Sequence, residues 1–246
     1  MVDATGLLDV FDEVVSAVRA ALDGVADRRR RGGRSGQYAL DLVADEVALT
    51  VLHAAGLRVL SEESGLTGPP DAAVWVALDP VDGSTNASRG IPFFATSLCA
   101  VDGDGMLAAT VANLATGTTY RAIRGGGATR DGQAISVGAP TKIDDAMIGV
   151  NGYPSAHMGW RQYRSLGSAA LEICAVADGS LDGYVNVDRD GHGPWDYLGG
   201  ALLVAEAGGV AIDVDHRDLV TLGHDDRRTV AAASDASLAH ELAGWT

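Results

Sequence analysis

Cysteine is scarce in this 246-residue chain, which has two. Cys99 and Cys174 stand far apart, each inside an apolar run (SLCAV and EICAVA), so they read as buried thiols and not as a disulfide or a metal-binding pair. Basic side chains are also few: 18 lysines and arginines face 33 aspartates and glutamates, leaving a formal charge of −15. Such an acidic surface repels nucleic-acid phosphates and anionic lipid while favouring divalent cations. No run approaches the roughly 18 apolar residues of a membrane span. The start, MVDATGLLDVFDEVV, carries acids where a secretory leader carries a basic region. These absences lead to the expectation of a cytoplasmic protein without nucleic-acid or membrane partners. G-x-x-x-x-G-K-[ST], H-E-x-x-H and C-x-x-C are missing, and the glycines at 125–127 lead from a strand into a hairpin, where a dinucleotide fingerprint would open a helix. There is no internal repeat, low-complexity tract or long linker, so residues 1–246 read as a single domain.

Apolar residues at Leu7, Leu8, Phe11, Val14, Val15, Val18, Ala21, Leu22 and Val25 have the three-and-four spacing of an amphipathic helix. It runs into Arg28–Arg31 and the glycines at 32, 33 and 36, a loop that reads either as a solvated helix end or as an anion-attracting flap. A second helix is signalled by Leu40, Val43, Ala44, Val47, Ala48, Val51 and Leu52; Asp41 and Asp45, four apart on its other side, are placed to face one cavity. LRVL is a short strand entering the loop SEESGLTGPPD. The apolar run from Val74 to Leu78 predicts a strand buried on both faces and ending at Asp79-Pro80.

From Phe93 to Gly138 the runs FATSLCAV, MLAATVANL and TTYRAI, separated by Gly-rich turns, predict an antiparallel meander. Alternation then returns, with strands near Ile148–Val150, Gly183–Val187, Val210–Val214 and Val230–Ala233, and helices over Ser168–Ala177, Trp195–Ala207 and the C-terminus. The chain thus divides into an N-terminal half (1–138) with the meander and a C-terminal α/β half (139–246).

WVALDPVDGSTN (75–86) puts Asp79 and Asp82 three apart across a proline turn at the end of a buried strand, where ligand crevices of α/β proteins open. Gly83, Ser84 and Thr85 follow and, if they open a helix, their amides make an anion-binding N-terminus beside the acids. Acids for a cation beside amides for an anion suit a metal ion that bridges protein and phosphate. Glu62-Glu63 reads either as a solvated loop or as a source of further oxygen ligands, and Asp196 as either a helix cap or a ligand.

Three segments in order, SEESG (61–65), WVALDPVDGSTN (75–86) and PWDYLGGALLVAEAGG (194–209), resemble the inositol monophosphatase-like family of Mg²⁺-dependent, lithium-sensitive phosphatases, which includes fructose-1,6-bisphosphatases and nucleotide 3′-phosphatases. RSLGSAAL (164–171) and ADGSLDGY (177–184) resemble its inositol-phosphatase branch. The resemblance implies a mixed α/β fold, a layered α-β-α-β-α sandwich, usually a homodimer. It implies hydrolysis of a small phosphorylated alcohol, inositol monophosphate first, by direct attack of a metal-activated water. Other small esters (histidinol phosphate, a sugar phosphate, adenosine 3′,5′-bisphosphate) and a non-catalytic regulatory role are the alternatives.

By matching position, Glu62, Asp79 and the Val81 carbonyl would hold one Mg²⁺, and Asp79, Asp82 and Asp196 a second, with a third left open at Glu62. Gly83, Ser84 and Thr85 would cradle phosphate, and Ser84 would also orient the attacking water. Asp41, with Asp45 as alternate, would assist that water. Gly167, Ser168, Ala169 and Asn186 would line the alcohol side together with Asp196. Two features depart from the family: Tyr38 and Leu42 stand at the candidate positions for a threonine three residues before the assisting aspartate, and Asn186 replaces the acid that grips the sugar ring. The stretch VDRDGHG (187–193) is also longer; Asp188, Asp190 and His192 are candidate contacts there, with His192 by itself reading as solvent-exposed.

Overall fold

The computed structural model describes residues 3–34, 36–188 and 190–245; Ser35 and Arg189, within two of the loops above, lie outside the described residues. Helix α1 (Ala4–Asp23) is capped by Asp3, whose Oδ1 accepts from the Gly6 amide at 2.8 Å, and buries Leu7, Phe11, Val14, Val15, Val18 and Leu22, the stripe its periodicity predicts. Arg28 donates to the Leu22 carbonyl at 3.1 Å, satisfying one of the acceptors a helix end leaves open. Helix α2 (Ala39–Ala54) follows.

A first sheet takes β1 (Arg58–Ser61), β2 (Gly65–Thr67) and β3 (Trp75–Asp82), then, after α3 (Ser84–Arg89), β4 (Ala95–Asp102), β5 (Gly105–Asn113), β6 (Thr119–Ile123), β7 (Gly127–Arg130) and β8 (Gln133–Ala134). Its order is β2-β1-β3-β4-β5-β6-β7-β8, antiparallel throughout except for the β1–β3 pair. The chain continues through β9 (Met147–Asn151), β10 (Gln162–Arg164), α4 (Ala169–Ala177), β11 (Gly183–Asn186), α5 (Pro194–Glu206), β12 (Val210–Asp213), β13 (Val230–Ala233) and α6 (Ala236–Ala243). Its strands form a second, mixed sheet ordered β10-β9-β11-β13-β12.

Period-two alternation along the central strands splits their side chains between two cores. Val76, Leu78, Leu98 and Ala100 face α1 and α2, packing with Leu7, Phe11, Ala44 and Leu52. Ala77, Cys99, Ala109 and Val111 face the opposite way, onto Ile173 of α4 and Leu198 and Leu202 of α5, which also meet Tyr184 and Ala232 of the second sheet. A third core joins the far side of that sheet, through Ile148, Val185 and Ala231, to Leu238 and Leu242 of α6. The result is the expected α-β-α-β-α layering. Close approach in the middle layer depends on Gly200 of α5, where a Cβ would stand 2.6 Å from Ile173 Cγ2. Cys99 and Cys174 are buried free thiols, as their apolar surroundings predicted. Among the described residues no helix is long and apolar enough to cross a membrane.

Two details differ from expectation. β3 does not stop at Asp79: it continues to Asp82 through a bulge, since Asp79 pairs with Ser97 and Asp82 with Ala95, three steps on one strand against two on the other. The short strands β2, β8 and β10 had no sequence signal, being three or fewer residues at sheet edges with little buried face. β2 turns the Glu62-Glu63 segment into the tip of a hairpin with β1.

Candidate metal centre

The bulge at the end of β3 sets the geometry. Pro80 has no N–H to pair, its carbonyl accepts from Thr96 Oγ1 at 2.9 Å, and Asp79 Oδ1 turns back to accept from the Val81 amide at 2.9 Å. The extra residue brings Asp79 and Asp82 to the same place. Asp82 Oδ2 accepts from Ser168 Oγ at 2.5 Å and from the Ala170 amide at 2.7 Å, both at the start of α4. Asp196, in the first turn of α5, accepts from the Gly193 amide through Oδ2 at 2.8 Å. The capping reading of Asp196 is therefore correct, and capping still leaves it one oxygen. One oxygen of each of Asp79, Asp82 and Asp196 lies within 4.8 Å of the others.

Among the described residues, Asp79 Oδ2, Asp82 Oδ1 and Asp196 Oδ1 take no hydrogen bond, while the second oxygen of each carboxylate is pinned by an N–H or O–H. Three carboxylates that gather within 4.8 Å and each keep one oxygen free of hydrogen bonds offer the hard, anionic ligands that suit Mg²⁺ or a similar hard divalent ion. Electrostatics agrees. Burial pushes Asp79 well above the usual carboxylate range, with Glu62, Asp82 and Asp196 adding repulsion. Burial, then Asp196, raises Asp82 to about 7, against the Ser168 and Ala170 hydrogen bonds. Glu62 stands outside the tight group of three, yet burial and the charges of Asp196, Glu63, Asp41 and Asp82 take it up to about 8. Without a cation such a cluster repels itself.

Asp41 and Asp45, adjacent on one face of α2, do different things. Asp45 accepts from Ser61 Oγ and Ser64 Oγ, so it braces the hairpin that carries Glu62. Asp41 instead lines a cleft of about 240 Å³ with Glu62, Glu63, Ser84, Arg34 and Gln37. Its Oδ2 accepts from the Tyr38 amide at 2.7 Å, completing the helix start without a threonine. Its Oδ1 is buried with no hydrogen bond of normal geometry, although Ser84 comes close enough to lower the carboxyl's pKa. Burial, offset in part by the Tyr38 bond, raises Asp41 to about 7.

Gly83 links the acids to α3. It has φ +85°, a left-handed conformation, and a Cβ there would meet the Gly167 carbonyl at 2.8 Å, so glycine is required on both counts. Ser84 and Thr85 begin α3, as the sequence predicted, and Thr85 Oγ1 lies 3.4 Å from the Tyr38 hydroxyl. Asn86 ties this helix to the 166–167 loop, donating to the Leu166 carbonyl at 2.7 Å. Ser168 and Ala169 are buried at the start of α4, with the Ser168 hydroxyl engaged by Asp82. Asn186 is fully buried in β11, its Oδ1 accepting from Asn151 at 3.1 Å and from the Asp188 amide at 2.8 Å, its Nδ2 unpartnered.

Two expectations are corrected. The Glu63 carboxylate is not solvated: it is paired with Arg34 and accepts from Gln37, and all three line the cleft. His192 is not exposed: it retains 7% exposure and sits 2.6 Å from the Tyr184 hydroxyl. Glu172, absent from the candidates, is buried in α4 and accepts from the Leu166 amide at 3.1 Å, holding the loop before Ser168; a lone acid in an apolar helix, EICAVA, was its sequence signal.

The inositol monophosphatase family pattern matches residues 13–244. A fructose-1,6-bisphosphatase/inositol-1-monophosphatase of Archaeoglobus fulgidus is 35% identical over 247 residues, covering 95% of each chain. Among solved structures, an extragenic suppressor from Pyrococcus furiosus is 28% identical with a TM-score of 0.82, covering 95% of this chain and 97% of its own. A hypothetical protein from Pyrococcus horikoshii with similarities to inositol-1 monophosphatase shares the fold at 24% identity and TM-score 0.83, covering 98% and 96%. With the family pattern spanning almost the whole chain and a full-length relative above 30% identity, the chain belongs to the inositol monophosphatase family and is a phosphatase.

Proposed function

We propose that the chain is a Mg²⁺-dependent phosphomonoesterase acting on a small phosphorylated alcohol, inositol monophosphate first. The observation that carries this is the cluster of Asp79, Asp82 and Asp196, each with one oxygen pinned and one open. These three, with Glu62 and the Val81 carbonyl, are the residues to hold two Mg²⁺ ions. Bound Mg²⁺ neutralises phosphate charge and makes water acidic enough to attack at neutral pH.

The chain's own groups do the rest. Gly83, Ser84 and Thr85 present the start of α3 to the phosphate oxygens. Ser84 orients the water, and Asp41, held near neutral pKa by burial, takes the proton as the water attacks phosphorus and the alkoxide departs. Gly167, Ser168 and Ala169 line the side on which the alcohol sits, and Asn186, fully buried in β11, is not placed to touch it. Arg34 and Glu63, paired with each other, stand on the wall of the same cleft. A homodimer is part of the same proposal.

Fructose 1,6-bisphosphate is the second reading, favoured by the double name of the Archaeoglobus relative. Phosphate release should be measured with Mg²⁺ across inositol 1-phosphate, fructose 1,6-bisphosphate, histidinol phosphate and adenosine 3′,5′-bisphosphate. The expected result is the highest kcat/KM on inositol 1-phosphate. A higher value on another ester reassigns the substrate, and no hydrolysis of any of them contradicts the enzymatic reading.

A further inference from the structure

Residues 190–193 bring one buried ring up to the acidic cluster. His192 is fixed to the segment at Arg228 by two backbone hydrogen bonds, His192 N to Arg228 O at 2.8 Å and Arg228 N to His192 O at 3.0 Å. Its imidazole stacks beside the Tyr184 ring, centroids 6.2 Å apart and planes 21° off parallel. Nε2 lies 2.6 Å from the Tyr184 hydroxyl and Nδ1 3.5 Å from Asp196 Oδ2. Tyr184 has no exposure and belongs to the middle of the second sheet, so neither ring is free to swing away.

Burial, with Glu172, Asp82 and Asp196 nearby, pushes the Tyr184 phenol well above its usual pKa. Where that phenol donates to Nε2, the remaining ring nitrogen, Nδ1, is the one 3.5 Å from Asp196. That contact is longer than a hydrogen bond and places the ring against the carboxylate. It falls on Oδ2, the oxygen that the Gly193 amide already holds.

We propose that Tyr184 and His192 form a positioning pair that, with the Gly193 amide, fixes the Asp196 carboxylate by Oδ2 and so presents Oδ1 toward Asp79 and Asp82. The pair touches neither substrate nor cation; it acts through Asp196, and the inference rests on Asp196 being a ligand as proposed above. Partners behind a ligand usually matter this way, and their loss weakens metal binding about 10–100-fold. Asp82 has its equivalent in Ser168 and the Ala170 amide, and Asp79 in the Val81 amide. The His192 pair differs in that His192 belongs to a stretch that, by the resemblance, is lengthened in this chain.

The test is Mg²⁺ binding by titration calorimetry to the substrate-free protein, with melting temperature recorded beside it. Tyr184→Phe, which removes one oxygen and keeps the ring, and His192→Leu should each weaken Mg²⁺ affinity about 10–100-fold. The double variant should be no weaker than His192→Leu alone, because Tyr184 acts through the imidazole. His192→Asn, whose amide N–H falls near the position of Nδ1, should recover most of the affinity. Variants that melt lower but bind Mg²⁺ within twofold of the wild type overturn the proposal, since His192 would then be packing only. Losses that multiply in the double variant also overturn it. A wild-type protein that binds no Mg²⁺ would instead remove the metal reading itself, and this inference with it.

Discussion

Asp79→Asn is expected to lower kcat/KM at least about a thousandfold, because a cation's contribution of several kcal/mol to the transition state depends on this carboxylate and each 1.4 kcal/mol is tenfold. The fold should survive, since an asparagine Oδ1 can still accept from the Val81 amide. The metal-free variant should in fact melt several degrees higher than metal-free wild type at pH 8. Asp79, Asp82 and Glu62 all have folded-state pKa values raised above their ordinary ones, with Asp82 at about 7 and Glu62 at about 8. Groups shifted in this direction contribute stability at pH below about 4, and that contribution is lost as pH rises through 7 to 8. Removing one charge relieves part of the loss, so the gap between variant and wild type should grow from pH 5 to pH 8. Thermal melts with chelator at both pH values check this. Undiminished turnover, or a variant less stable than wild type at pH 8, would contradict the cluster's assignment.

Asp41→Asn is expected to reduce kcat by about 10²–10⁴, the usual contribution of a positioned proton acceptor. KM should change little, because Asp41 is assigned to the water and not to the phosphate or the alcohol. An asparagine can still accept from the Tyr38 amide, so α2 should start where it does now. Asp45→Asn is the matched control on the same helix face. Among the described residues Asp45 hydrogen-bonds only to the two serine hydroxyls of the hairpin, which can turn to accept from an amide, so kcat should fall far less. Steady-state kinetics of both variants, with melting temperatures, separate the roles. A larger loss in kcat at Asp45 than at Asp41 would reverse the choice.

How much of this could be read in advance depended on distance along the chain. The stripe from Leu7 to Leu22 and the apolar run before Asp79 are local patterns, and both became the elements they predict. The segment from Asp79 to Thr85 carries its own turn, bulge and helix start within seven residues, so its chemistry was legible too. The supports of the acids were not legible. Ser168 reaches Asp82 across 86 positions and Ser61 reaches Asp45 across 16; neither serine differs in sequence from a surface serine. His192 looked exposed for the same reason, since its burial comes from Tyr184 and from the segment at Arg228. The choice between Asp41 and Asp45 likewise needed the position of the Ser61–Ser64 hairpin, which spacing on α2 does not contain.

The claim on which the rest depends is that these acids work through a divalent cation. It is tested by the initial rate of phosphate release from inositol 1-phosphate, measured on chelator-treated protein as a function of free Mg²⁺. The rate should be at background with chelator and should rise to saturation as Mg²⁺ is added back. An undiminished rate in excess chelator would contradict it.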